Sequence, residues 1–194
     1  MPARHVLVLS TRNAHKLREF RRLLDGAEIE LRPLPDGVQL PPEDGETFAA
    51  NALGKARAAA AATGLPAIGD DSGIEAEALG GAPGVRSARY AGEQASDEEN
   101  LAKLLREAPA GSRLRYVCAL AYVDVAAGVE EVLLGECHGR LASEPRGRGG
   151  FGYDPAFIAE DHDGRTMAEL TDSEKDAISH RGEAARALLG WLRR

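Results

Sequence analysis

The chain has 194 residues, of which 43% are hydrophobic and 28% charged, and 24 Lys and Arg against 31 Asp and Glu leave a net charge of −7. The length fits one domain, or at most two lobes sharing one core, and the composition excludes an intrinsically disordered chain. The acidic balance argues against duplex DNA, bulk RNA or an anionic membrane as the main partner, while a local basic pocket could still take a small anion.

In chain order, Met1-Pro2-Ala3-Arg4-His5 has no long apolar stretch and no small-residue cleavage site, so no secretory leader is expected. Val6 to Leu9 reads as a buried strand. Ser10 to Lys16 is polar, and Leu17, Phe20, Leu23 and Leu24 then recur at helical spacing up to Gly26. Glu28 to Leu31 reads as a second strand, stopped by Pro33 and Pro35. Residues 33–46 read as a loop rich in Pro, Gly and acid. Thr47 to Thr63 is a helix by propensity, with Gly64 as its stop.

Leu65 to Ile68 is a short apolar strand that runs into Gly69-Asp70-Asp71-Ser72-Gly73. Residues 73–95 are expected to form an ordered loop with short helical turns. Ser96 and Glu99 predict a capping box for a helix whose apolar stripe is Leu101, Leu104, Leu105 and Ala108. Arg115 to Val125 and Glu130 to Leu141 read as two long strands joined at Ala127-Gly128. Phe151 to Ile158 is an aromatic segment opened by glycines, and a last helix carries Ala185, Leu188, Leu189 and Leu192 on one face. With 5% aromatics and 34 alanines, the core must be mostly Leu, Val, Ile and Ala. Cys118 and Cys137 fit no zinc or redox spacing and read as two reduced, buried thiols. No apolar run approaches the ~20 residues of a membrane span. Alternating strands and helices followed by a hairpin predict an α/β domain with a mixed sheet.

Four segments could carry chemistry. Ser10-Thr11-Arg12-Asn13-Ala14-His15-Lys16 lies between a strand and a helix start, where backbone N–H groups and the helix dipole favour anions. It lacks the glycines and the Lys-Ser/Thr pair of a Walker A loop, and it also fits a plain capped helix. Asp70-Asp71-Ser72-Gly73 places two carboxylates at a strand end. Such oxygens suit a divalent cation such as Mg²⁺, with the acidic loop Glu43-Asp44-Gly45-Glu46 as a source of a further ligand. Gly147-Arg148-Gly149-Gly150-Phe151-Gly152-Tyr153-Asp154-Pro155 permits close backbone approach, and Phe151 or Tyr153 could stack on a planar base. Lys175 with Ser179-His180-Arg181 supplies donors, or simply the basic start of a surface helix.

Together these segments resemble the inosine triphosphate pyrophosphatase family. The resemblance also takes in Glu43-Asp44-Gly45-Glu46-Thr47-Phe48, Asn51-Ala52-Leu53-Gly54-Lys55-Ala56, Leu79 to Val85 and Ser87-Ala88-Arg89-Tyr90. It runs in order over nearly the whole chain and implies a single pyrophosphatase domain over residues 1–194. The implied fold is a mixed sheet flanked by helices, in two lobes with an active-site cleft between them. The implied reaction is Mg²⁺-dependent hydrolysis of ITP, dITP or XTP to the monophosphate and pyrophosphate. Residue by residue, Asp71 resembles the proton acceptor and a metal ligand, and Glu43 a second metal ligand. Thr11, Arg12, Asn13, Ala14, His15, Lys16 and Lys55 resemble the phosphate clamp. Ser72 resembles a substrate contact, and Phe151 the base-stacking ring. Gly152, Tyr153, Asp154, Lys175, His180 and Arg181 resemble the residues lining the base. The resemblance further implies a cytoplasmic homodimer. Two positions depart from the family: Arg12 stands where Gly is frequent, and Ala50 where a Glu usually precedes the Asn. The alternatives are a pyrophosphatase of other modified nucleotides and a nucleotide-binding module without turnover.

Overall fold

The computed structural model describes residues 5–160 and 162–194. Residues 1–4, on which the expectation of no leader partly rests, lie outside that range. Strand β1 (His5–Leu9) is the predicted apolar run, with Leu7, Val8 and Leu9 buried. Helix α1 (Ala14–Leu23) starts where Asn13 caps it and buries Phe20, with Leu24 just beyond its end. Strand β2 (Ile29–Pro33) ends on the proline expected to stop it. It is the outermost strand of its sheet, where a missing N–H is tolerated. Helix α2 (Phe48–Thr63) is the helix that propensity predicted, ending at left-handed Gly64, with Thr47 as its cap rather than its first residue. Helix α3 (Asp97–Glu107) carries both halves of the predicted Ser96–Glu99 capping box.

Strand β3 (Ala67–Ala76) is longer than the sequence suggests. The acidic pair was expected at a strand end and residues 73–95 in a loop, yet the strand runs through Asp70, Asp71 and Gly73. Its glycines serve close approach rather than a turn. A Cβ on Gly69 would stand 2.3 Å from the Ala52 carbonyl oxygen and 2.8 Å from the Ala56 nitrogen of α2. A Cβ on Gly73 would stand 2.4 Å from Ser87 Oγ. The predicted short helical turns follow, as 3₁₀ segments over Glu77–Leu79 and Gly84–Arg89.

Strands β4 (Arg113–Asp124) and β5 (Val129–Leu141) are the two long predicted strands. Left-handed Gly128 lies in the turn between them. The short strand β6 (Phe157–Ala159) follows a 3₁₀ turn over Asp154–Ala156. Helices α4 (Asp172–Ile178) and α5 (His180–Leu192) close the chain. The sheet is open and mixed, in the order β2-β1-β3-β4-β5-β6. β1 pairs parallel with β2 and β3, and β5 pairs antiparallel with β6. No helix among the described residues is long and apolar enough to cross a membrane.

The described chain divides into two compact units. The first takes in the residues up to Asp71 with Cys118–Gly135 and Arg181–Arg194; the second takes in Ser72–Val117 and Glu136–His180. The first unit buries Leu7, Leu9, Phe20, Ile68, Leu120, Ala185 and Leu188 in one cluster, with Leu189 and Leu192 packed against it. The second unit buries Ile74, Leu101, Leu104, Leu114, Leu141, Phe157 and Met167, with Leu105 against them. Cys118 and Cys137 are both buried thiols, as their spacing suggested.

The contact of Gly69 with α2 is backbone on backbone, so neither side can rotate away. Gly69→Ala is therefore expected to lower stability by about 3 kcal/mol or more, at the upper end of overpacking effects, as read from urea unfolding.

Candidate active site

The alanines of α2 explain why a polar centre can form on β3. Ala52, Ala56, Ala59 and Ala60 are fully or almost fully buried, and they let the strand approach the helix closely. The helix then presents Asn51 and Lys55, one turn apart on the same face, to Asp71. Lys55 Nζ lies 3.1 Å from Asp71 Oδ1 and 2.8 Å from Glu43 Oε1. Asn51 Nδ2 donates to Asp71 Oδ2 at 2.9 Å, and Asn51 Oδ1 accepts the Gly45 N–H at 2.9 Å. One lysine thus draws together two carboxylates from different segments. Burial pushes the Asp71 carboxyl above its usual range, against the pull of Lys55 and the Asn51 amide. Burial would lower the Lys55 ammonium, but Asp71, Asp70 and Glu43 together raise it, so it stays charged.

Successive strand residues face opposite ways, and the two aspartates accordingly have different surroundings. Asp70 Oδ2 lies 2.5 Å from Lys16 Nζ, and Oδ1 lies 3.6 Å from Arg181 Nε. Cys118 donates its S–H to the same Oδ1 at 3.0 Å. Burial alone would raise the Asp70 carboxyl, but Lys16, Arg181 and Lys55 outweigh it and hold it far below the usual range. Burial and the neighbouring Asp70 push the Cys118 thiol well up, so it remains a protonated donor. Arg181 also donates to Glu19 at 3.0 Å. Asp70 is thus a counter-ion within a buried cluster of charges.

The junction of β1 and α1 is built as its sequence suggested. Ser10 is buried and donates to the Lys55 carbonyl at 2.7 Å. Thr11 Oγ1 accepts the Asn13 N–H at 3.1 Å, and Asn13 Oδ1 accepts the His15 and Lys16 N–H groups at 2.8 and 3.2 Å. Ala14 is the exposed first residue of the helix, and the His15 ring contacts Arg18. Arg12 turns instead to the next loop, donating to the carbonyls of Leu34, Pro35 and Val38 at 3.1, 2.9 and 2.9 Å.

In the second unit, Asp154 is 3% exposed. Its Oδ2 accepts from Lys175 Nζ at 2.6 Å and from the Phe151 N–H at 2.9 Å, and its Oδ1 accepts from the Tyr116 hydroxyl at 3.1 Å. Gly150, left-handed with φ +68°, makes room for this: a Cβ there would stand 2.0 Å from Asp154 Oδ2. Lys175 Nζ stands 5.2 Å from the centroid of the Phe151 ring. The His180 ring stacks on Tyr116 with centroids 4.6 Å apart.

Of the two aromatics proposed for stacking, Tyr153 is buried and donates its hydroxyl to the Ser87 carbonyl at 2.7 Å, whereas Phe151 is partly exposed. Gly152 donates its N–H to Asp97 at 2.9 Å. Ser72, next to Asp71 on β3, is half-buried. Lys175, His180 and Arg181 are all buried, which corrects the reading of a basic surface helix. Arg181 falls in the first unit, where it pairs with Glu19 and Asp70.

Sequence reasoning gave no role to Asn51, Tyr116, Glu19 or Cys118. Asn51 carried a signal, standing four residues before Lys55. The other three are brought in by long-range packing, which leaves no local trace.

The Ham1 family matches residues 7–191, and the chain belongs to that family. A protein of Frankia alni named dITP/XTP pyrophosphatase is 52% identical, covering 96% of each chain. One of the same name from Symbiobacterium thermophilum is 53% identical, covering 92% of this chain and 90% of its own. Among solved structures, a HAM1 protein from Coxiella burnetii is 42% identical with a TM-score of 0.87, covering 97% of this chain and 98% of that one.

Proposed function

We propose that this protein hydrolyses non-standard purine nucleoside triphosphates (dITP, XTP and ITP) to the monophosphate and pyrophosphate. The names of its relatives supply the substrate class. The observation that carries the reading is the centre on β3, where Asp71 is raised by burial yet held by Lys55 and Asn51. A carboxylate so placed can take the proton of an attacking water as a bond between the α- and β-phosphates breaks. Lys55, Lys16 and the capped start of α1 supply the positive charge that such a phosphate tail requires.

The donor set fits Mg²⁺. Two hard carboxylates, Asp71 and Glu43, meet on one ammonium, and among the described residues no third His, Cys, Asp or Glu joins them. Ala50 adds no ligand. Magnesium commonly takes one or two carboxylates and completes its shell with phosphate oxygens and water. When bound by Asp71 and Glu43, the ion would neutralise developing phosphate charge.

Phe151 offers an aromatic face for the base, and Lys175 and His180 offer donors suited to a 6-oxo group. A 6-amino group would leave such donors facing another donor, a mismatch of about 1–3 kcal/mol per buried group. Removing the ring in Phe151→Ala is expected to raise KM roughly tenfold or more with a much smaller change in kcat, since stacking is worth about 1–3 kcal/mol per base.

The same reading makes the protein a cytoplasmic homodimer, with neither nucleic acid nor membrane as partner. Two buried thiols suit a reducing compartment. The hairpin of β4 and β5 would supply the interface, with Leu134 on β5 58% exposed and Val125 in the turn 62% exposed. Light scattering after gel filtration should report twice the chain mass.

The test of function is pyrophosphate release from a nucleotide panel at fixed Mg²⁺. dITP, XTP and ITP should turn over, and ATP and pyrimidine triphosphates should not. Preference for a modified pyrimidine would overturn the substrate class, and tight ITP binding without product would overturn the enzyme.

A further inference from the structure

We infer that Asn51 is a positioning residue for this reaction, tying the acidic loop at Gly45 to the carboxylate of Asp71. The inference rests on the hydrolase reading given above. Asn51 is 5% exposed, and both ends of its amide are engaged. Its orientation is fixed by chemistry: the backbone N–H of Gly45 requires an acceptor and the carboxylate of Asp71 prefers a donor, so oxygen faces the loop and nitrogen faces the strand. Lys55 holds Asp71 Oδ1 while Asn51 holds Oδ2, so the plane of the carboxylate is set from both sides.

The loop side is equally tight. A Cβ on Gly45 would stand 2.6 Å from Asn51 Oδ1 and 3.1 Å from the Ala50 Cβ. Only a bare backbone comes close enough to reach the amide. Glu43 lies two residues before Gly45 and bonds the same Lys55 that bonds Asp71. One short amide therefore spans the two segments whose carboxylates meet. A small misplacement of a reacting group lowers kcat steeply while leaving substrate affinity almost intact.

The two arms can be separated. Asn51→Asp keeps an oxygen for the Gly45 N–H but removes the donor to Asp71. Asn51→Ala removes both arms. Hydrogen exchange of residues 43–46, measured without substrate, reads the loop arm. The split of kcat from KM on dITP reads the Asp71 arm. Asn51→Ala should accelerate exchange over 43–46 and lower kcat, and Asn51→Asp should leave exchange near wild type yet lower kcat at least about 30-fold with KM within about threefold. If Asn51→Asp does not fold, Asn51→Ser, too short to reach both partners, decides by the split of kcat from KM alone. The inference is overturned if kcat stays within about threefold of wild type or if KM rises in step with the loss. A wild-type protein that turns over no nucleotide would instead defeat the hydrolase reading, while the exchange measurement would still report on the loop arm.

Discussion

Asp71→Asn should leave the protein folded and lower its kcat for dITP by roughly 10²- to 10⁴-fold, the range expected when a proton acceptor is removed. The amide keeps the size of the carboxylate but cannot take a proton from water. Its effect on stability follows from the sign of the shift. Burial raises the Asp71 carboxyl above its usual range, so folding disfavours the charged form, and that penalty builds as pH rises through the unfolded pKa and is complete above the folded one. Replacing the charge with a neutral amide removes the penalty, while Lys55 keeps Glu43 as a partner. The new amide nitrogen must, however, face Lys55 Nζ or Asn51 Nδ2, both donors, so a net loss of about 1–3 kcal/mol, or several degrees in thermal unfolding, is expected. A variant that retains wild-type kcat removes Asp71 from the mechanism.

Asp70→Asn, one residue away, should do the reverse. Asp70 is held far below the usual carboxylate range because Lys16, Arg181 and Lys55 outweigh its burial. A depressed pKa contributes stability that is fully present above the unfolded value near 3.9 and is lost as pH falls through the folded value. The amide leaves Lys16 and Arg181 facing a neutral group in a buried setting, which is expected to cost about 3–5 kcal/mol near neutral pH. The stability gap between wild type and variant, from urea unfolding, should be constant above about pH 5 and narrow below about pH 4. A gap under about 1 kcal/mol at neutral pH would show that the cluster around Asp70 is not a stabilising counter-ion arrangement.

The contrast between neighbouring aspartates is also where sequence reading met its limit. The pair was visible as chemistry, and Asp71 was singled out by family resemblance. Its placement inside a strand was not visible, because glycines and adjacent aspartates carry little strand propensity of their own. The function of Gly69 and Gly73 is close approach to α2 and to Ser87, a tertiary property without periodicity. Periodic elements were legible: the stripe of α3, its capping box at Ser96, the stop of α2 at Gly64, and the long strands each follow from local rules. Buried polar partners were not. Glu19 and Cys118 stand far from Asp70 in sequence, and only the fold brings them to it. The basic run at His180-Arg181 fits ligand donors and a surface helix equally well by local rules, and only the fold decides against the surface. Arg181 is buried against two carboxylates, which compensate a guanidinium held out of water.

The most direct test of the central claim is a crystal structure of the wild-type protein with Mg²⁺ and an α,β-imido analogue of dITP. The account predicts the triphosphate beside Lys55 and the start of α1, with the cation on Asp71 and Glu43. A phosphate tail bound elsewhere, with no ion at Asp71, would contradict it.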